Sequence, residues 1–229
     1  MDEFLAEFLT RGKSQVSKRS HQTSKSSDWF TVKGGALSMN FVDSRESQDA
    51  KRDLGIPDNT IEWPVDIYNS LKANRVKQVC FVPDGGHARL ISMCRDDAEI
   101  VSTALTTEEE GVGLIAGAWL GGQRSVLLMQ SSGVGNCVNL FSLLSACTFP
   151  AVIVVTMRGQ WGEYVPWQIP MGQATKGCFE LMGFPVLEVD RAESVAGTMQ
   201  AAFQMAYGGG KSVAVLISQR LIGAKTFSK

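Results

Sequence analysis

Three stretches of this chain combine residue types at spacings that could do chemistry. In TTEEEGVGLIAGAWLGG (106–122) the carboxylates Glu108, Glu109 and Glu110 stand at the start of a predicted helix. Acids there complement the positive helix end, with Thr106 or Thr107 as the cap. The glycines that follow, Gly111, Gly113 and Gly117, each cost a helix about 1 kcal/mol relative to alanine. Such residues make sense where another backbone or a ligand must come close. In MQSSGVGNCVN (129–139) a predicted strand runs into Gly133 and Gly135. Free N–H groups at the helix start that follows can meet an anion or a polar ring edge; an ordinary strand-to-helix turn is the plain alternative. The third stretch, RGQWGEYVPWQIPMG (158–172), is a long connection carrying Arg158, Trp161, Glu163, Trp167 and Gln168 and stiffened by Pro166 and Pro170. Loops of that length inside a domain tend to be functional. Arg158 suits an anionic substrate or a salt bridge. His87, in PDGGH, either titrates or donates to a substrate, or is a satisfied loop histidine.

Position along the predicted elements ties these stretches together. Apolar runs at 78–83, 99–104, 125–130, 151–157, 186–190 and 213–218 read as strands, separated by helical patterns around 87–94, from 107, over 136–147, 172–182 and 193–206. AVIVVTM (151–157) is apolar throughout, as in a strand buried on both faces of a parallel sheet. The alternation implies an α/β fold: an open, mostly parallel sheet of about six strands with helices on both faces. Ligands in such sheets sit outside the carboxyl ends of the strands. PDGGH, QSSGVGN and RGQWGEYVPWQIPMG all fall at such ends. GGGKS (208–212) is not read as a phosphate loop. Met205 stands where a further glycine is required, and a helix precedes it with a strand after, so it reads as a helix cap and turn.

Composition narrows the class. The 229 residues suffice for one sizeable domain and an extra segment, and 44% are hydrophobic. Lys and Arg total 22 against 23 Asp and Glu, a net charge of −1, so no global basic field argues for nucleic acid. No apolar run approaches the roughly 20 residues of a membrane helix, and no secretory apolar core follows the N-terminus. A cytoplasmic protein with neither nucleic acid nor membrane as partner is expected. Five cysteines with no CxxC pair, beside only His21 and His87, read as small buried hydrophobes rather than as a disulfide framework or zinc site. Residues 1–60 read as a polar N-terminal extension, partly disordered or docked on a partner. It has a short amphipathic start at Phe4, Leu5, Phe8 and Leu9, followed by Ser- and Lys-rich sequence. Residues 61–229 form the domain proper.

The succession VPDG, EEEGVGLIAGAWLGG, LLMQSSGVGN, RG and QIPMGQAT resembles the pyrimidine-binding domain of thiamine-diphosphate-dependent 2-oxoacid decarboxylases. The likeness is greatest to those acting on sulfopyruvate, then to those acting on phosphonopyruvate. It spans roughly residues 63–218 and is most specific over 107–175. It implies a thiamine-diphosphate-binding fold of the pyrimidine type, with a glutamate that bonds the pyrimidine ring. Glu108 matches that glutamate, and Glu109 is the alternative one residue away. Ser131, Ser132, Gly133, Gly135, Asn136 and Pro83 are expected along the cofactor cleft. Around the same mouth the resemblance implies Asp84 and His87, with Arg158, Gln168 and Met171 on the substrate. His87 or Arg158 is expected to meet the substrate's sulfonate or phosphonate. The family's GDG…N signature, which holds Mg2+ against the diphosphate, is absent from this sequence. The resemblance therefore implies a separate beta subunit carrying that half, an α/β hetero-oligomer, and an alpha chain inactive alone. The implied reaction converts 3-sulfopyruvate to sulfoacetaldehyde and CO2, with phosphonopyruvate the alternative substrate. A non-catalytic binding or regulatory subunit of the same fold, and another thiamine reaction such as carboligation, remain as further readings.

Overall fold

The run Ala151–Thr156 offers no polar side chain until its last residue, and all six of its positions are buried in an inner strand of a parallel sheet. The computed structural model describes residues 63–223; the extension expected over residues 1–60 lies outside the described residues. The strands are β1 (Val76–Phe81), β2 (Val101–Ala104), β3 (Arg124–Gln130), β4 (Ala151–Thr156), β5 (Val186–Val189) and β6 (Ser212–Ile217). They lie in the order β2-β1-β3-β4-β6-β5, every pairing parallel.

Period-two alternation along these strands sorts the core into two layers. Leu128 of β3 and Val154 of β4 share a register position and face the cluster built by α1 (Trp63–Ala73), α2 (Ala88–Asp96) and α6 (Val195–Phe203). Leu127 and Ile153 point the other way, against α3 (Glu108–Leu120), α4 (Ser131–Ala146) and α5 (Gln168–Leu181). On that second face Phe141, Phe179 and Phe184 join α4 to α5 and to the turn after it, Phe141 and Phe179 stacking at 4.8 Å between centroids.

From β1 the chain moves outward to β2 and then returns to place β3 on the other side of β1. The reversal opens a crevice between the carboxyl ends of β1 and β3, the place where open α/β sheets bind ligands. Two boundaries differ from the sequence reading. The helix expected from Asn136 begins at Ser131, so SSGVGN is helical. The helix expected from Gly172 begins at Gln168. Pro170 is tolerated there because the first helical turn needs no N–H donors. GGGKS has the expected setting: a π-helical turn over Gln204–Gly208 precedes it, Gly210 takes a φ of +66°, and β6 follows. Cys80, Cys94 and Cys137 are buried and free; Cys147 departs from the expectation by lying exposed at the end of α4.

Gly172 and Gly177 both lie in α5, in opposite situations. A Cβ on Gly172 would run into the main-chain carbonyl of Arg158, whereas one on Gly177 would meet nothing within 4 Å. Gly172→Ala should lower the unfolding free energy by about 1–3 kcal/mol through overpacking against backbone. Gly177→Ala should raise it by up to about 1 kcal/mol through helix propensity. Denaturant midpoints at unchanged slope measure both.

Candidate active site

Asp84, just past β1, gathers the ends of three strands. Its Oδ2 accepts hydrogen bonds from the Thr156 hydroxyl at the end of β4 (2.6 Å) and from the Gly86 N–H (3.1 Å), and its Oδ1 accepts one from Gln130 Nε2 at the end of β3 (2.8 Å). Gln130 Oε1 in turn accepts from the Ser132 hydroxyl at 2.9 Å. The amide is thereby held in one orientation and the serine hydrogen is committed, which leaves the Ser132 lone pairs as acceptors.

Glu108 is the first residue of α3, after an extended Thr107. Its Oε2 accepts a hydrogen bond from Asn136 Nδ2 at 3.1 Å, and its carboxyl group lies on Gly133 so closely that any Cβ there would collide with it. Gly135, two residues on, is covered in the same way by the Met171 sulfur of α5. The neighbouring acids have other tasks. Glu110 Oε2 accepts the Thr106 N–H at 2.8 Å and closes the helix start. Glu109 keeps one oxygen buried without a partner. Burial pushes the Cys137 thiol up to about 12, with the Glu109 and Glu108 charges adding to the rise.

Val82, Pro83, Asp84, Glu108, Gln130 and Ser132 line an open depression of about 160 Å³ at this edge. That is well short of the roughly 300–1,000 Å³ of a complete small-molecule pocket. Of the two candidate glutamates, Glu108 lines it. The residues present suit a flat, amino-bearing ring: an apolar wall at Val82 and Pro83, a carboxylate with one oxygen already anchored, and a hydroxyl acceptor.

Ser131, Arg158, His87 and Gln168 lie outside the lining of this depression. Ser131 is buried, and its hydroxyl accepts the Arg158 N–H at 3.0 Å, tying the start of α4 to the end of β4. The Arg158 guanidinium forms a two-pronged pair with Glu163, Nε to Oε2 and an Nη to Oε1, each at 2.6 Å. The two side chains are 7% and 3% exposed. Glu163 also accepts the Val165 N–H and an N–H of the Gln219 side chain, from α7 (Gln219–Ile222). His87 is fully buried; as the tautomer protonated at Nε2 it donates to the Val154 carbonyl at 3.2 Å, and Nδ1 has no partner. Burial lowers its pKa, so the ring is held neutral. Gln168 keeps a buried carbonyl oxygen without a partner. Neither Arg158 nor His87 reaches the lining of the depression. The sequence reading missed Gln130, Thr156 and Gln219. The signal for the first two was available: each is a polar residue that ends an apolar run at the carboxyl end of its strand, VLLMQ and AVIVVT.

Among the described residues, no group of three or more His, Cys, Asp and Glu side chains could hold a metal ion, and no helix is long and apolar enough to cross a membrane. No family model matches the chain. The alpha subunit of sulfopyruvate decarboxylase from Methanocaldococcus jannaschii is 32% identical over 151 residues, 66% of this chain and 89% of its own length. Phosphonopyruvate decarboxylase from Streptomyces viridochromogenes is 36% identical over 118 residues, 51% of this chain but only 30% of its own. The solved structure of 2-oxoglutarate:ferredoxin oxidoreductase from Magnetococcus marinus, with 2-oxoglutarate, coenzyme A and succinyl-CoA bound, superposes with a TM-score of 0.55 at 12% identity. The superposition covers 70% of this chain and 29% of that one, a likeness of fold.

The Arg158 pair holds the Glu163 carboxyl down at about 2, against an ordinary 4.5. A carboxyl depressed in the folded state stabilises fully above its ordinary value, and that contribution is lost as pH falls from there toward the folded value. Stability should therefore fall between about pH 4.5 and pH 2 in the native chain, and Glu163→Gln should flatten that limb. The same substitution should lower stability near neutrality by about 3 kcal/mol, because it leaves a buried guanidinium uncompensated. Denaturant titrations across the acid range measure both effects.

Proposed function

The chain belongs to the family of sulfopyruvate decarboxylase alpha subunits, and on that footing we propose that it is one half of a thiamine-diphosphate-dependent carboxy-lyase. In this reading it assembles with a beta subunit that supplies the diphosphate and Mg2+ half, and the pair converts 3-sulfopyruvate to sulfoacetaldehyde and CO2. The observation that carries the reading is the Glu108 carboxylate, anchored by Asn136 and lying on Gly133 in a one-sided depression at the carboxyl ends of β1 and β3.

Thiamine diphosphate, when bound, supplies the electron sink that lets the C1–C2 bond of the 2-oxoacid break as CO2 leaves. The electron pair of that bond stays on C2, which takes up a proton to become the aldehyde carbon. This chain's residues bind and orient the ring end of the cofactor. Glu108 holds or yields a proton through the oxygen that Asn136 does not occupy. Val82 and Pro83 offer an apolar face, and Ser132, its hydrogen committed to Gln130, accepts from an amino group. Ser131, Gly133 and Gly135 keep α4 close enough for Glu108 and Met171 to lie across it.

Two acids and no cation line the depression. A carboxylate and a sulfonate brought up to this wall would be repelled by several kcal/mol at close range, about 4 kcal/mol per unit charge at 4 Å in a medium of intermediate dielectric. Recognition of the substrate's anionic groups therefore falls to groups outside this wall, in keeping with an alpha chain that is inactive alone. Arg158, bound to Glu163, serves this reading as a support for the loop after β4.

In a complex reconstituted with its partner, Glu108→Gln should lower kcat by about 10²-fold or more while the complex stays assembled. Gly133→Ala should lower it too, by pushing Glu108 aside, without loss of fold. Sulfoacetaldehyde release from sulfopyruvate, with phosphonopyruvate as the competing substrate, is the measurement. Unchanged rates in both variants would favour a non-catalytic subunit of this fold.

A further inference from the structure

The segment between β4 and α5 displays three large aromatic side chains within seven residues: Trp161 at 45% exposure, Tyr164 at 46% and Trp167 at 79%. Exposed loops seldom hold such side chains in place, but this one is braced from beneath. The buried Arg158–Glu163 pair crosses its base, Glu163 accepts the Val165 N–H, and Gln219 Oε1 accepts the N–H groups of both Gln160 and Trp161. Gln160 returns a hydrogen bond by accepting the Gln219 N–H at 3.0 Å, and the Arg220 guanidinium lies 5.7 Å from the Trp161 ring centroid. Ordering has therefore already been met within the chain, and preorganised aromatic anchors of this kind dominate the energetics of protein interfaces.

We propose that Trp161, Tyr164 and Trp167 form the docking surface for the partner subunit that completes the site, with the Arg158–Glu163 pair as its brace. The inference rests on the reading that a separate subunit closes the depression over Glu108. The loop is continuous with that depression. It leaves β4 at Thr156, which bonds Asp84; its Arg158 N–H bonds Ser131 at the start of α4; and it ends in the helix whose Met171 lies on Gly135. The aromatics therefore rise from a segment anchored at both ends beside the elements that carry Asp84, Ser131 and Gly135. The relative that this chain matches over 89% of its length is an alpha subunit, a protein that works with a further chain, and on the proposed function that chain is the occupant of this surface. Trp161 and Trp167 bring indole N–H donors, so the receiving surface is apolar with acceptor groups at its margin.

The test uses the full chain and the subunit that co-purifies with it, the dissociation constant being read by sedimentation or calorimetry. Trp161→Ser and Trp167→Ser should each weaken association by about tenfold or more, with thermal stability of the free chain kept. The activity lost at limiting partner should return at excess partner. Leu181→Ser removes a more exposed side chain (82%) at the C-terminal end of α5, the end away from the loop, and should leave association unchanged. Dissociation constants within twofold of the parent for both tryptophan variants overturn the proposal. So does a free chain that is already a dimer and becomes monomeric on the same substitutions, which would assign the surface to a second copy. So, too, does a tryptophan exposure that rises when residues 1–60 are removed, which would assign it to the chain's own extension. A wild-type complex that forms without decarboxylating defeats the functional reading alone, and the association data still decide this one.

Discussion

The carboxylate of Asp84 is the interaction on which the site's geometry depends. Parallel strands end side by side, and nothing in the sheet ladder fixes how their last residues are arranged. Asp84 does so by accepting from Thr156, Gly86 and Gln130 at once, which locks the ends of β1, β3 and β4 into one rigid edge. Hydrogen bonds to an ionised acceptor are short and strong, and the 2.6 Å contact with a 1%-exposed Thr156 is of that kind. From this edge the chain launches α4 out of β3, and α3, coming from β2, brings its first turn against it, so Glu108 and Gly133 meet.

That meeting explains a local contradiction. Gly133 and Gly135 weaken the first turns of α4, and propensity alone would have left them in a loop. They are helical because the second face of the sheet packs α4 between α3 and α5, and the positions that touch these neighbours have no room for a Cβ. The same logic holds at Gly172 against the Arg158 carbonyl. Small residues along this face buy closeness of backbone, and at Gly133 that closeness sets where an acid can sit.

This difference marks what the sequence could tell. The apolar strands, their parallel pairing and the convergence of three loops at one edge follow from period and burial, and all were legible. Glu108 was legible as a carboxylate at a helix start, with the resemblance favouring it over Glu109, but its contact with Asn136, 28 residues away, was not. Arg158 was legible as the cation of either a substrate contact or a salt bridge, and the buried pair with Glu163, five residues on in a loop, is the second of these. That loop is folded inward by Gln219, 56 residues beyond Glu163. His87 likewise reads as a loop histidine until Val154, 67 residues off, closes over it. In each case the missing information was a long-range partner that local spacing does not encode.

The fate of Arg158 has a consequence for how charge is divided in the assembled enzyme. A guanidinium at the mouth of a decarboxylase is an obvious ligand for an anionic substrate, yet using it so would uncover Glu163 and the polar N–H groups it gathers. Stripping one partner from a buried pair costs about 3–5 kcal/mol, comparable to what a new pair with the substrate would return. The exchange gains little, and the loop would lose its brace. The buried Arg158 cation instead holds the loop rigid, and the depression is left lined by acceptors. An acceptor-lined wall favours a group that bears protons and disfavours free anions. On the proposed function, the positive charge for a doubly anionic 2-oxoacid then belongs to groups outside this lining, since the depression itself is lined by Asp84 and Glu108 and by no Lys or Arg.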